Sequence, residues 1–188
     1  VTGTGQNGCT ASDQVTISVL PNVNVMISLA QTICRGDVVG LMAGGGGPAG
    51  TYAWSNGMSG SLIHVSPLVT TQYTVTVSTA QGCTGTGSVT VTVRDLPPAE
   101  AGGPYHVCEG NSVQLGASGG VQYAWSHGLS PVADPILAPM ADMTVYVTVT
   151  GSNGCSATDS ALVFVHGDPP LDLGPDVTIC QKECVTLS

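Results

Sequence analysis

Basic residues are almost absent from this chain. One Lys and two Arg stand against 12 Asp and Glu in 188 residues, for a formal net charge of -9. Three cations cannot neutralise a run of phosphates, so nucleic acid is excluded as a partner. Electrostatic docking to anionic lipid is excluded for the same reason. Charge of either sign is scarce, at 8% of residues, where a typical soluble domain carries roughly 25%. The surface must therefore be covered by Thr, Ser, Gly, Asn and Gln. Long apolar runs are lacking too. The weakly polar stretch 19–34 is interrupted by Pro21, Asn22 and Asn24 and falls short of the roughly 20 apolar residues a membrane helix needs, so no direct membrane insertion is expected. Neither a signal peptide nor an initiator Met is visible, and Val1 opens inside a patterned segment, so the chain is expected to be a piece of something longer.

Signatures of chemistry are equally thin. The run Gly44-Gly45-Gly46-Gly47 has no following Lys-Ser/Thr and is read as a turn, where glycine supplies unusual backbone angles, rather than as a phosphate loop. No nucleophile elbow is expected, and the chain is read as non-enzymatic. His64, His106, His127 and His166 show neither His-x-His nor His-Glu-x-x-His spacing. His106 and Cys108 are alternate residues that share a strand face by default, so no metal site is read from them.

What the chain does have is a repeat. Gly8-Cys9, Gly82-Cys83 and Gly154-Cys155 recur, as do Ile33-Cys34, Val107-Cys108 and Ile179-Cys180. Between them lie Tyr52-Ala53-Trp54-Ser55 and Tyr123-Ala124-Trp125-Ser126, followed by Tyr73-Thr74-Val75-Thr76-Val77 and Tyr146-Val147-Thr148-Val149. The expected organisation is the tail of one repeat (1–20), whole repeats at 21–95 and 96–167, and the head of a fourth (168–188).

Each repeat reads as all-β. Val or Tyr alternates with Thr or Ser at period two, and Gly, Asn, Pro and Ser punctuate the strands. One Trp per repeat and about seven strand-length segments suggest a β-sandwich. In the second repeat the expected strands are A at 99–107, B at 112–117, C at 122–125, F at 145–150 and G at 156–165. Trp54, Trp125, Tyr73, Tyr146, Leu41 and Leu115 are the expected core. That assigns the aromatics to packing rather than to a ligand platform.

The order Ile33-Cys34-x-Gly36, Leu41, Tyr52-x-Trp54-Ser55-x-Gly57, Tyr73-x-Val75, Gly82-Cys83 resembles the PKD-like and immunoglobulin-like tandem repeats of Bacteroidota cell-surface proteins, gliding-motility-type adhesins among them. It returns as Cys108-x-Gly110, Leu115, Tyr123-x-Trp125-Ser126-x-Gly128, Tyr146, Gly154-Cys155. The resemblance covers essentially the whole chain, although Trp-Ser-x-Gly replaces the Trp-Asp-Phe-Gly-Asp-Gly of polycystic-kidney-disease domains proper. It implies tandem immunoglobulin-like β-sandwiches, export by the type IX route, and an extracellular, cell-surface role as spacer, adhesin or filament module.

Seven cysteines in such small domains suit an oxidising compartment. Sequence leaves their connectivity open. In a sandwich of this topology Cys34 closes strand A at one end and Cys83 opens strand G at the other. Ten residues of strand span roughly 33 Å, against the roughly 7 Å that a disulfide allows between Cα atoms. That favours an inter-repeat Cys34–Cys155 bridge over the intra-repeat pairs Cys34–Cys83 and Cys108–Cys155. The segments Cys9 to Cys34, Cys83 to Cys108 and Cys155 to Cys180 are all 25 residues long, as a stapled joint requires and a floppy linker does not. Leu96-Pro97-Pro98 and Asp168-Pro169-Pro170 stiffen the junctions. Cys184 stands where other repeats have Val38 and Ser112, and a local Cys180–Cys184 bond is expected there.

No cofactor is expected. Calcium is the ion that the acids would suit, at Asp134 and Asp142 or at the junctional sets Asp95, Glu100, Glu109 and Asp168, Asp172, Asp176, yet no Asp-x-Asp-x-Asp run occurs. Asp159-Ser160-Ala161 resembles the O-glycosylation signal of Bacteroidota and marks Ser160 as a candidate acceptor. The expected function is structural: part of a long filament or adhesin stalk, with neighbouring repeats as partners and self-assembly into a fibre. The rivals are a spacer in a secreted enzyme and a carbohydrate-binding module using Tyr52 or Tyr123.

Overall fold

The computed structural model describes residues 1–170 and Gln181. The chain divides between Arg94 and Asp95 into two compact units. A short antiparallel hairpin opens the first, β1 (Thr2–Thr4) with β2 (Thr10–Ser12). There follow β3 (Met26–Ile27), β4 (Gln31–Cys34), β5 (Val39–Gly44), β6 (Thr51–Trp54), β7 (Leu62–Val65), β8 (Thr71–Ser78) and β9 (Thr84–Arg94). The second unit has β10 (Tyr105–Cys108), β11 (Val113–Gln114), β12 (Gln122–Trp125), β13 (Ile136–Leu137), β14 (Met143–Thr150) and β15 (Ser156–His166).

Both units use one plan. A four-stranded sheet, ordered β4-β9-β8-β6 in the first and β10-β15-β14-β12 in the second, faces a smaller sheet, β3-β5-β7 or β11-β13. The period-two pattern explains the core. In β14, Val145, Val147 and Val149 point inward and are fully buried, and Val75 and Val77 do the same in β8. Trp54 and Leu41 fill the first core and Trp125 and Leu115 the second. Each indole N–H reaches a carbonyl, Gly60 O for Trp54 and Val132 O for Trp125, both at 3.0 Å. Burial of the rings therefore strands no donor.

Two expectations need correction. Tyr73 is buried, but Tyr146 is 53% exposed and lies outside the core. Trp54 stands opposite Val75, and Trp125 opposite Val147, so the position equivalent to Tyr73 is Val145. Matching the repeats on their tyrosines slips the register by one residue, and a one-residue slip moves a side chain to the other face.

The expected continuous strand A at 99–107 is also broken. Glu100 bridges to Ser118 in one sheet, while Tyr105–Cys108 runs parallel to β15 in the other. Between them the chain turns through Gly102, Gly103 and Pro104. The first unit splits the same strand into β3, paired with β5, and β4, parallel to β9. Tyr105 pins the crossover: its hydroxyl accepts the Gly116 N–H (2.7 Å) and lies 3.0 Å from Ala101 O. Gly119 has φ +98°, and a Cβ there would strike the Pro98 carbonyl. Gly45 meets Asn24 in the same way, so each unit needs glycine where its first strand crosses its second.

Candidate functional site

The sites to judge are the two cysteine positions of each repeat and the side chains around them. The first position is a five-residue turn that leads into the last strand. Gly5 N–H donates to Cys9 O, Thr79 N–H to Cys83 O, and Gly151 N–H to Cys155 O, at 2.8, 2.9 and 2.8 Å. The glycine before each cysteine has φ near +80°: Gly8 +80°, Gly82 +81° and Gly154 +83°. That left-handed backbone is why Gly-Cys recurs. Asn153 stiffens the last of these turns, its Oδ1 accepting the Cys155 N–H (3.0 Å) while its Nδ2 donates to Asp95 O (2.8 Å). Asn7 Oδ1 accepts the Cys9 N–H in the same manner, at 3.2 Å.

The second position ends the strand parallel to the last one. Cys34 stands opposite Arg94, and Cys108 opposite His166. The turns beyond them match, with Asp37 N–H donating to Cys34 O (3.0 Å) and Asn111 N–H to Cys108 O (3.1 Å). Since Cys34 is level with Arg94, eleven residues of β-structure separate it from the level of Cys83, roughly 36 Å.

Oxidation state distinguishes these equivalent cysteines. Cys34 and Cys155 are each disulfide-bonded. Cys9, Cys83 and Cys108 carry free thiols. Cys155 is buried and Cys108 exposed. The expected pair Cys180–Cys184 lies outside the described residues, as do Asp172 and Asp176.

Each unit is an immunoglobulin-like β-sandwich. No protein-family model and no curated protein matches the chain. Among solved structures it is similar to the insect immune protein hemolin, at 18% identity over 75% of this chain and 46% of that one, with TM-score 0.42. It is similar to extracellular domains 3–5 of Drosophila OTK, at 13% identity over 76% and 62% of the two chains, TM-score 0.39. It is also similar to a Ca2+-stabilized adhesin that helps an Antarctic bacterium reach out and bind ice, at 12% identity over 89% and 56%, TM-score 0.41. The chain thus spans about half the length of hemolin and of the adhesin.

Three of the acidic side chains are engaged in holding the second unit together. Asp142 Oδ1 accepts the Val165 N–H (2.7 Å), Asp159 Oδ2 the Ala101 N–H (2.7 Å), and Asp134 Oδ2 the Gln114 amide (3.2 Å). Among the described residues no group of three or more His, Cys, Asp or Glu is placed to hold a metal ion. Gly116-Ala117-Ser118-Gly119-Gly120 has the Gly-x-Ser-x-Gly spacing, but Ser118 exchanges backbone hydrogen bonds with Glu100 instead of sitting on a strand-to-helix elbow. Tyr52 and Tyr123 are half-buried against the two cores. Ser160 is exposed in mid-β15, opposite Tyr146.

One cluster was not legible from spacing. His106 and His166, 60 residues apart in sequence, lie on adjacent parallel strands with His106 Nδ1 2.8 Å from His166 Nε2. The Phe164 ring stacks on His106 at 5.1 Å. Only the parallel register of β10 with β15 could have brought this pair to notice.

Proposed function

We propose that this chain is a segment of a tandem immunoglobulin-like array whose work is mechanical, forming part of an extracellular filament or adhesin stalk of the Bacteroidota surface type. In this reading Cys34 of the repeat at 21–95 is bonded to Cys155 of the repeat at 96–167. The observation that carries it is the pattern of oxidation. Either intra-repeat pairing would oxidise Cys83 or Cys108, and both are thiols, while Cys34 and Cys155 are bonded. The same rule joins the end of one repeat's first strand to the last turn of the next repeat. It gives Cys83 and Cys108 their partners in further repeats on either side.

Several features support this reading. The Pro97-Pro98 junction is stiff, and Asn153 ties the turn that holds Cys155 to the carbonyl of Asp95. Sheet-edge strands β6 and β12 carry no Lys or Arg, so the charges that usually keep edges apart are missing and lateral packing into a fibre is permitted. Tyr52 and Tyr123, the two rings on which the carbohydrate-binding reading depends, pack against the cores instead of forming an exposed platform.

The test is thermolysin mapping of the alkylated, unreduced chain. The expected product links peptides containing Cys34 and Cys155, with Cys9, Cys83 and Cys108 alkylated. Recovery of Cys34 joined to Cys83 overturns the stapled array.

A further inference from the structure

We propose that Asn153 is a self-modification site, whose side-chain amide hydrolyses through a cyclic imide when the turn 151–155 opens. Three observations carry this. First, Asn153 precedes Gly154, one of three Asn-Gly pairs with Asn7-Gly8 and Asn56-Gly57. With no side chain to shield it, a glycine nitrogen can attack the asparagine Cγ. A new N–C bond closes a five-membered imide, ammonia leaves carrying the glycine's proton, and water opens the ring to aspartate or isoaspartate. Second, the fold occupies both reacting groups. The Gly154 N–H donates to Gly151 O (3.0 Å), Asn153 Oδ1 accepts the Cys155 N–H (3.0 Å), and Asn153 Nδ2 donates to Asp95 O (2.8 Å). Attack needs the 153–154 peptide and the amide to rotate, so these bonds must break first. Third, Asn153 is exposed, so water reaches it.

Protection is graded along the chain. Gly8 N–H donates to Gly5 O and Gly57 N–H to Trp54 O, both at 2.9 Å, and the Oδ1 atoms of Asn7 and Asn56 accept the Cys9 and Met58 N–H groups at 3.2 Å. Of the three, among the described residues, Asn153 alone has its amide nitrogen tied as well. The Asn7 turn rests on the three-pair hairpin of β1 and β2, and a lone hairpin is marginal in water. In the first whole repeat the matching turn, 79–83, carries Gln81. Its longer side chain would have to close a six-membered imide, a slower ring, so the site belongs to the second repeat.

The product gives the reaction a use. A carboxylate at 153 has no N–H to offer, so it meets Asp95 O acceptor to acceptor and the tie is not re-made. β15 starts just after Cys155, so tension that strips this strand opens the turn and frees the amide to react. Each opening held long enough is thereby written into the covalent chain. This second step rests on the mechanical reading above; the chemical step does not.

The experiment incubates the whole oxidised chain, its free thiols alkylated, in heavy-oxygen water at mildly alkaline pH, with and without concentrated urea. Peptide mass spectrometry reads each hydrolysis as a gain of the heavy isotope. The expected result is a rate at Asn153 about tenfold or more slower in the fold than in urea, and in the fold slower than at Asn7. A smaller difference between the two solvents, or a folded rate equal to that of Asn7, overturns the gating. No gain at Asn153 in urea overturns the site. In a single-molecule stretch, chains held with β15 stripped and then relaxed should regain their starting detachment force less fully the longer the hold. Asn153→Gln should regain its own starting force after any hold. An equal loss in that variant, or no loss in the wild type, overturns the record of load while leaving the Cys34–Cys155 map untouched.

Discussion

Stretching the chain by its two ends gives the stapled joint a number. If Cys34 is bonded to Cys155, the 120 residues from 35 to 154 lie inside a covalent loop and carry none of the pull. Only residues 1–34 and 155–188 can be drawn out, about 240 Å of contour at roughly 3.5 Å per residue. Reduction releases the enclosed segment and should add roughly 400 Å. The chain-entropy model puts the closure of so long a loop at about 5 kcal/mol of stabilisation, by its effect on the unfolded state. Optical-tweezer traces of the oxidised chain should therefore stop at the shorter length, and lengthen only after dithiothreitol is added. An oxidised molecule that extends to the full contour of all 188 residues, roughly 650 Å, refutes the bridge whatever its peptide map says.

The remaining predictions concern the folded units. Tyr73→Ala should cost about 3–4 kcal/mol in chemical denaturation, as deletion of a buried ring does, whereas Tyr146→Ala should change stability by less than about 1 kcal/mol, because its ring faces solvent. Gly119→Ala should destabilise the second unit by about 2 kcal/mol or more, since the backbone angle and the Pro98 carbonyl both oppose a side chain, and thermal unfolding will read it. Tyr105→Phe should cost about 1–2 kcal/mol by removing the acceptor of the Gly116 N–H. An unchanged denaturation midpoint would show that the crossover does not depend on that hydroxyl.

Much of the fold was legible because its signals are local. Alternation in Thr71–Ser78 and Met143–Thr150 is the direct imprint of a half-buried strand, and the recurrence of Gly-Cys marks a turn that needs left-handed backbone. What was hidden depends on partners far away in sequence. Tyr146 has the residue type of a core position, but pairing with β12 and β15 sets its face. Both units split their first strand, although the second holds the split with Gly102-Gly103-Pro104 and a Tyr105 hydroxyl on Gly116 and the first has Ser28-Leu29-Ala30 and Gln31 there, so no shared motif announces it. His106 and His166 meet only because two strands 60 residues apart run in parallel. Sequence spacing catches neighbours on one element and passes over those shared between two.

The split first strand also dictates an order of assembly. Gln31–Cys34 cannot find its mate until 84–94 has been made, so the opening segment of each repeat waits for the closing one. During that wait the Cys34 sulfur has Cys83 nearer along the chain than Cys155. Docking of β4 beside β9 carries Cys34 to the level of Arg94 and out of reach of Cys83. If Cys34 is bonded to Cys155, folding has to run ahead of oxidation, because oxidising the chain while it is still slack would favour the shorter Cys34–Cys83 loop.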